Sequence, residues 1–149
     1  GDLVFGHGNQ TISEVVGEML KSRGAMLALA ESCTGGRIGN IITSQPGSSA
    51  YFAGGVVAYA NDIKVNLLGV DPSLIEQHGA VSEPVVKAMA EGVIKLTGAR
   101  YSIATSGIAG PGGGTPEKPV GTIWLAVSDG ETTQALLLKA GKDRKRNIV

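Results

Sequence analysis

Glu31-Ser32-Cys33-Thr34-Gly35-Gly36-Arg37 sets hydroxyls, a thiol and a glycine pair directly after the apolar run Met26-Leu27-Ala28-Leu29-Ala30. That run is short enough for a buried strand, and Ile38, Ile41 and Ile42 beyond it share one side of a helix. The glycines let the backbone turn tightly and approach a ligand. The helix that follows offers unpaired N–H groups and the positive end of its dipole. Ser32 is the candidate nucleophile, and a serine hydroxyl needs a base to take its proton. His7 and His78 are poor candidates, one in a glycine-rich arm and the other ending a short turn before Gly79. Lys64 is the better one. It falls in the first turn of a helix that Asn61 can cap, where the positive helix end disfavours a second positive charge. Desolvation would lower its pKa further. Tyr59, just before that helix, could relay a proton or hold the lysine.

Each of these residues also has a plainer use. Ser32 and Thr34 could cap the following helix, Lys64 could be a solvated surface lysine, and Tyr59 a rim residue. Cys33 is intrinsically the better nucleophile, although a small buried thiol is its plainer role. Ser48 follows Cys33 as the next alternative. Ser106-Gly107-Ile108-Ala109-Gly110-Pro111-Gly112-Gly113-Gly114-Thr115-Pro116 is a second loop after a strand, with N–H groups that could cradle an anion. It lacks the Gly-Lys-Ser/Thr of a Walker A loop and the glycine spacing of a dinucleotide fingerprint. Lys142, Arg144, Lys145 and Arg146 form a short basic run in which one arginine could reach a phosphate.

The elements that must position these residues follow from periodicity and punctuation. Thr11-Ile12-Ser13-Glu14 fits a capping box, and Ile12, Val15, Val16, Met19 and Leu20 mark one helical face that stops near Gly24. Tyr51 to Tyr59 reads as a strand with Gly54-Gly55 as a bulge. Asn61 opens a helix through Leu68, and Asp71-Pro72 starts a short turn. Ser82 caps the longest helix, with Val85, Val86, Met89, Val93 and Leu96 as its inner face. Tyr101 to Thr105, Val120 to Ser128 and Thr132 to Lys139 are strands, the last two joined around Asp129-Gly130. Helices alternating with strands and then a hairpin predict an α/β domain: three α/β/α layers around a mixed sheet with a C-terminal antiparallel hairpin.

The 149 residues suit one domain with a core of its own. Formal charge is zero, so nothing points to nucleic acid or an anionic membrane as a partner. No apolar run is long enough to span a bilayer. One cysteine excludes an internal disulfide and fits a reducing compartment, and with the two histidines it makes no metal spacing. No metal or cofactor is expected, and a cytoplasmic location is.

The string Glu31-Ser32-Cys33-Thr34-Gly35-Gly36 resembles the C-terminal domain of the competence-damage-inducible CinA family. The likeness continues through Gly47-Ser48-Ser49-Ala50-Tyr51-Phe52, Tyr59-Ala60-Asn61 with Lys64, and His78-Gly79-Ala80-Val81-Ser82-Glu83-Pro84. Ser106-Gly107-Ile108-Ala109-Gly110-Pro111 and Lys118-Pro119-Val120-Gly121-Thr122 extend it. The stand-alone relatives (PncC-type) are nicotinamide mononucleotide amidohydrolases. The resemblance therefore implies hydrolysis of that nucleotide's carboxamide to nicotinic acid mononucleotide and ammonia, by a serine/lysine mechanism without a cofactor. It implies Ser32 as nucleophile, Lys64 as base and Tyr59 as its neighbour. Thr34, Gly35 and Gly36 would stabilise an oxyanion through their N–H groups, and Ser48, Ser106 and Gly107 would line the pocket. A Gly-Asp-Arg-like string of the family reads here Gly141-Lys142-Asp143-Arg144, which makes Arg144 the phosphate candidate with Arg146 behind it. Residues 1–10 would be a linker from a preceding CinA N-terminal domain, and 11–149 the amidohydrolase domain without its final helix. Expected partners are a small nucleotide substrate, that N-terminal domain and further copies of the chain. The competing expectation is a non-catalytic nucleotide-binding or regulatory domain of a two-domain protein; a purely structural dimerisation domain would leave the polar strand-end loops unexplained.

Overall fold

The computed structural model describes residues 10–148; all of the expected linker (1–10) but Gln10, His7 included, lies outside the described residues, as does Val149. Helix α1 (Ile12–Ser22) begins with the expected capping box: the Thr11 hydroxyl accepts from the Glu14 N–H, and the Glu14 carboxylate accepts from the Thr11 N–H at 2.7 Å. Strand β1 (Leu27–Glu31) follows, then α2 (Arg37–Thr43), a 3-10 turn at Ser48–Ala50 and strand β2 (Phe52–Val57). Next come α3 (Asn61–Asn66), α4 (Pro72–His78) and α5 (Glu83–Thr97), then β3 (Tyr101–Gly107), β4 (Thr122–Ser128), β5 (Thr133–Lys139) and the short α6 (Arg144–Asn147).

The strands form one five-stranded sheet in the order β2-β1-β3-β4-β5. β1 runs parallel to both β2 and β3, and β4 and β5 close the sheet antiparallel. The mixed sheet and its terminal hairpin are those expected. Side chains alternate across the sheet, so β1 is buried on both faces. Ala28 and Ala30 meet Val85, Val86, Met89 and Val93 of α5. Leu27 and Leu29 meet Leu20 of α1, Ile42 of α2 and Tyr51 on the opposite side. Helices thus cover both faces and the three layers follow. Small residues let α5 sit close. A Cβ on Gly92 would lie 1.9 Å from the Leu68 carbonyl oxygen, and the Ser102 hydroxyl of β3 donates to Ala90 O at 2.7 Å.

Details depart from expectation where local chemistry chose another partner. Leu96, expected on the inner face of α5, is 48% exposed, because the helix has by then run past the sheet. Ser82 occupies the N-cap position of α5 but its hydroxyl donates to Gly79 O instead. Asn61 is the first residue of α3 rather than its cap, a position taken by Ala60. The β2 bulge is real: the register against β1 shifts between Phe52 and Gly54, and Gly54 carries a φ of +139° that a side chain would resist.

This connectivity fixes where a ligand can go. From β1 the chain passes through α2 to β2 on one side. From β2 it crosses the opposite face through α3, α4 and α5 to reach β3 on the other side of β1. The path reverses at β1. The crevice at the carboxyl ends of β1 and β3 is therefore the favoured ligand position of an open α/β sheet.

Candidate active site

Ser32 is the first residue past β1, in that crevice. Its N–H donates to Thr105 O of β3 at 3.0 Å, and its own carbonyl accepts the Gly35 N–H at 3.0 Å. The backbone is thereby held at both ends of the turn. Lys64 reaches the same spot from α3, with its side chain almost wholly buried at 1% exposure. Its Nζ lies 3.3 Å from Ser32 Oγ, 2.7 Å from Ala58 O and 3.3 Å from Tyr59 O. No carboxylate pairs with it among the described residues. Burial pushes the Lys64 pKa below its ordinary value, with the neighbouring Cys33 thiol opposing in smaller measure.

The neutral amine fits this cage well. It has two N–H groups for the Ala58 and Tyr59 carbonyls and one lone pair for the Ser32 hydroxyl, which then donates. A solvated surface lysine, the plainer alternative, does not describe Lys64. Capping does not describe Ser32 and Thr34 either. Helix α2 has Gly36 at its N-cap, and the carboxylate of Glu31 takes the orphan donors: Gly36 N–H and Ile38 N–H at 3.1 Å each and Gly39 N–H at 2.8 Å. Tyr59 is a rim residue, 59% exposed.

Ser32, Cys33, Tyr59, Asn61, Lys64 and Arg144 line one cavity of about 290 Å³, with Ala80 and Val81 and the Ser106 to Gly113 loop as its other wall. Its size is near the lower end for small-molecule sites, roughly 300 Å³. Arg144 crosses the mouth, donating from Nη1 to Gly110 O at 2.7 Å and from Nη2 to Tyr59 Oη at 3.2 Å. Helix α6 is tied down beneath it by Asn147, whose amide donates to Ala109 O at 3.0 Å and Gly141 O at 2.8 Å.

A family model described as the CinA C-terminal domain matches residues 9–149. The chain belongs to the CinA family. It is 53% identical to a CinA-like protein of Synechocystis over 147 residues, covering 97% of this chain and 35% of that protein. A CinA-like protein of Chlorobaculum tepidum is 49% identical over 154 residues, all of this chain and 36% of that protein. The chain thus spans about a third of the length of these curated relatives. Among solved structures it resembles the competence/damage inducible protein CihA of Agrobacterium tumefaciens, with a TM-score of 0.89 at 36% identity over 91% of this chain and 84% of that one. It also resembles a CinA superfamily protein of Enterobacter cloacae, with a TM-score of 0.88 at 28% identity over 99% and 89%.

The CinA fold brings together Ser32, Lys64, Tyr59, Ser106, Gly107 and Arg144 on one cavity. It does not bring Thr34, Gly35, Gly36 or Ser48 to that lining. The Gly35 N–H is spent on Ser32 O and the Gly36 N–H on Glu31, so neither glycine has an N–H free for an oxyanion. The Thr34 hydroxyl pairs with Thr105 Oγ1 at 2.8 Å. Within the turn, the N–H groups of Cys33 and Thr34 point at the Cys33 sulfur. Ser48 opens the 3-10 turn before β2, and since β2 runs parallel to β1 it lies at the opposite end of the sheet from Ser32. Cys33 touches the cavity but its thiol packs with Ala109 and Ile123, and burial pushes its pKa up, which disfavours the thiolate. Ser106 lines the cavity while its hydroxyl donates to Ala80 O at 2.8 Å, holding the Ala80-Val81 wall.

Glu31, Thr105 and Asn61 were not foreseen as site residues. Glu31 carried a signal: a carboxylate closing a strand of otherwise apolar residues must find buried donors of its own. Thr105 carried none, because a threonine inside a strand is ordinary.

Proposed function

We propose that this CinA domain hydrolyses the carboxamide of nicotinamide mononucleotide, giving nicotinic acid mononucleotide and ammonia. The observation that carries the reading is the contact of a buried, carboxylate-free lysine with the hydroxyl of Ser32 at a sheet switch point. The neutral Lys64 amine takes the Ser32 proton as Oγ forms a bond to the amide carbon. The tetrahedral oxyanion forms beside Ser32 and Cys33, where the Cys33 N–H, which faces the Cys33 sulfur rather than an oxygen, is the backbone donor offered to it. The carbon–nitrogen bond then breaks, and the Lys64 ammonium returns its proton to the leaving ammonia. Water attacks the Ser32 ester with Lys64 again as base, releasing the carboxylic acid and restoring the hydroxyl. Arg144 at the mouth supplies the charge for the substrate phosphate, with the cavity floor left to the pyridine ring. The setting we assign is the cytoplasm, as one part of a longer chain.

The test is ammonia release from nicotinamide mononucleotide by the wild type and by Ser32→Ala. Release that disappears in the variant supports the reading. Binding of the nucleotide without release would favour a regulatory nucleotide-binding domain. Release unaffected by Ser32→Ala would move the nucleophile to Cys33.

A further inference from the structure

Glu31 is 2% exposed, and no lysine, arginine or histidine pairs with it among the described residues. A buried carboxylate costs more than a hydroxyl would as a helix cap. Thr34 stands close by in sequence and could have served in that role, yet its hydroxyl goes to Thr105. Capping alone therefore does not account for a carboxylate here.

Its position relative to the reacting pair does. The Glu31 side chain accepts from Gly36, Ile38 and Gly39, closing the turn that carries Ser32 into a ring fastened to α2. The Glu31 carbonyl accepts the Ala58 N–H at 2.7 Å, and Ala58 O is the nearest partner of Lys64 Nζ, also at 2.7 Å. One residue thus grips the nucleophile turn with its side chain and the lysine cage with its main chain. We infer that Glu31 is a positioning residue that holds Ser32 Oγ in register with Lys64. The inference rests on Ser32 being the nucleophile. A separate cavity of about 200 Å³, lined by Glu31, Gly36, Gly39, Phe52, Gly55 and Val57 among others, shares no lining residue with the substrate pocket. A small carboxylate could enter there without meeting the substrate.

The experiment is labelling of Ser32 by phenylmethanesulfonyl fluoride, followed by intact and peptide mass in the wild type, Ser32→Ala, Glu31→Gln and Glu31→Ala. This readout needs no substrate. Glu31→Gln keeps the size but turns one acceptor into a donor facing an N–H group; Glu31→Ala removes the clamp. The expected result is labelling at least tenfold slower in both Glu31 variants, with added formate accelerating Glu31→Ala and leaving wild type unchanged. Should Glu31→Ala not fold, Glu31→Gln carries the test, with kcat for ammonia release down at least tenfold and KM within twofold. Labelling of Glu31→Gln at the wild-type rate, or a slowed Glu31→Ala that formate does not move, would overturn the inference. A wild type that is not labelled at Ser32 would instead remove the nucleophile reading, and the positioning role with it.

Discussion

Lys64 Nζ sits 3.3 Å from Ser32 Oγ, and the two side chains come from opposite sides of a crossover: one directly follows β1, the other lies in α3 after β2. Their meeting depends on β2 delivering Ala58 and Tyr59, whose carbonyls flank the lysine, to the same sheet end as Ser32.

Replacing Lys64 by Met keeps most of the buried volume and removes the base. Turnover should fall by about a thousandfold or more, within the range of general-base contributions, while nucleotide binding stays measurable. Steady-state kinetics beside equilibrium binding checks this; near-wild-type kcat would take Lys64 out of the mechanism.

The pH profile should carry the same lysine. Its depressed pKa means that kcat/KM rises with pH as the amine loses its proton and flattens above that pKa. Stability follows with a defined sign. Below the folded pKa the native state buries a charged amine, so the wild type bears the full penalty. Between the folded pKa and the unfolded value near 10.4, the unfolded chain binds more protons and native stability rises with pH. Lys64→Met should therefore exceed wild type in stability at low pH, by a margin that shrinks as pH rises. Denaturant midpoints across pH, with the opposite trend as the contrary result, decide it.

Arg144→Ala should raise KM for the mononucleotide by about tenfold or more, the value of a charge-assisted contact of roughly 1.5–3 kcal/mol, with a smaller change in kcat. The dephosphorylated nucleoside should be handled alike by both proteins. An equal rise in KM for the nucleoside would contradict a phosphate role and leave Arg144 as a brace between Gly110 and Tyr59.

Gly92→Ala should destabilise the fold by about 3 kcal/mol or more, among the larger effects of single substitutions, because its Cβ would collide with the Leu68 backbone oxygen. Chemical denaturation reads this directly. A loss under 1 kcal/mol would mean that α5 can lift from the Leu68 turn at little cost.

Much of this was legible because the strongest local signals agreed with the global fold. Thr11 and Glu14 marked the start of α1, Asp129-Gly130 the hairpin, and Gly54-Gly55 the bulge. Ser32, Tyr59 and Arg144 stand at or beside the end of an element, while Lys64, within α3, and Ser106, within β3, are named with them through the family resemblance of their strings. What was not legible depended on competition for donors. Thr34, Gly35 and Gly36 look like an anion cradle in sequence, but the Glu31 carboxylate occupies that helix end, and only side-chain direction reveals it. Ser48 sits in a motif close to the others in sequence, and the parallel sheet carries it to the far end.

A covalent intermediate on Ser32 is detected by acid-quenching the protein during turnover of nicotinamide mononucleotide and mapping the peptide spanning Leu29 to Arg37. The expected result is an acyl adduct of the nicotinic acid mononucleotide moiety on Ser32, absent from Ser32→Ala, and reduced below detection in Lys64→Met. Fragmentation that places the adduct on Cys33, or sustained ammonia release by Ser32→Ala, would contradict it.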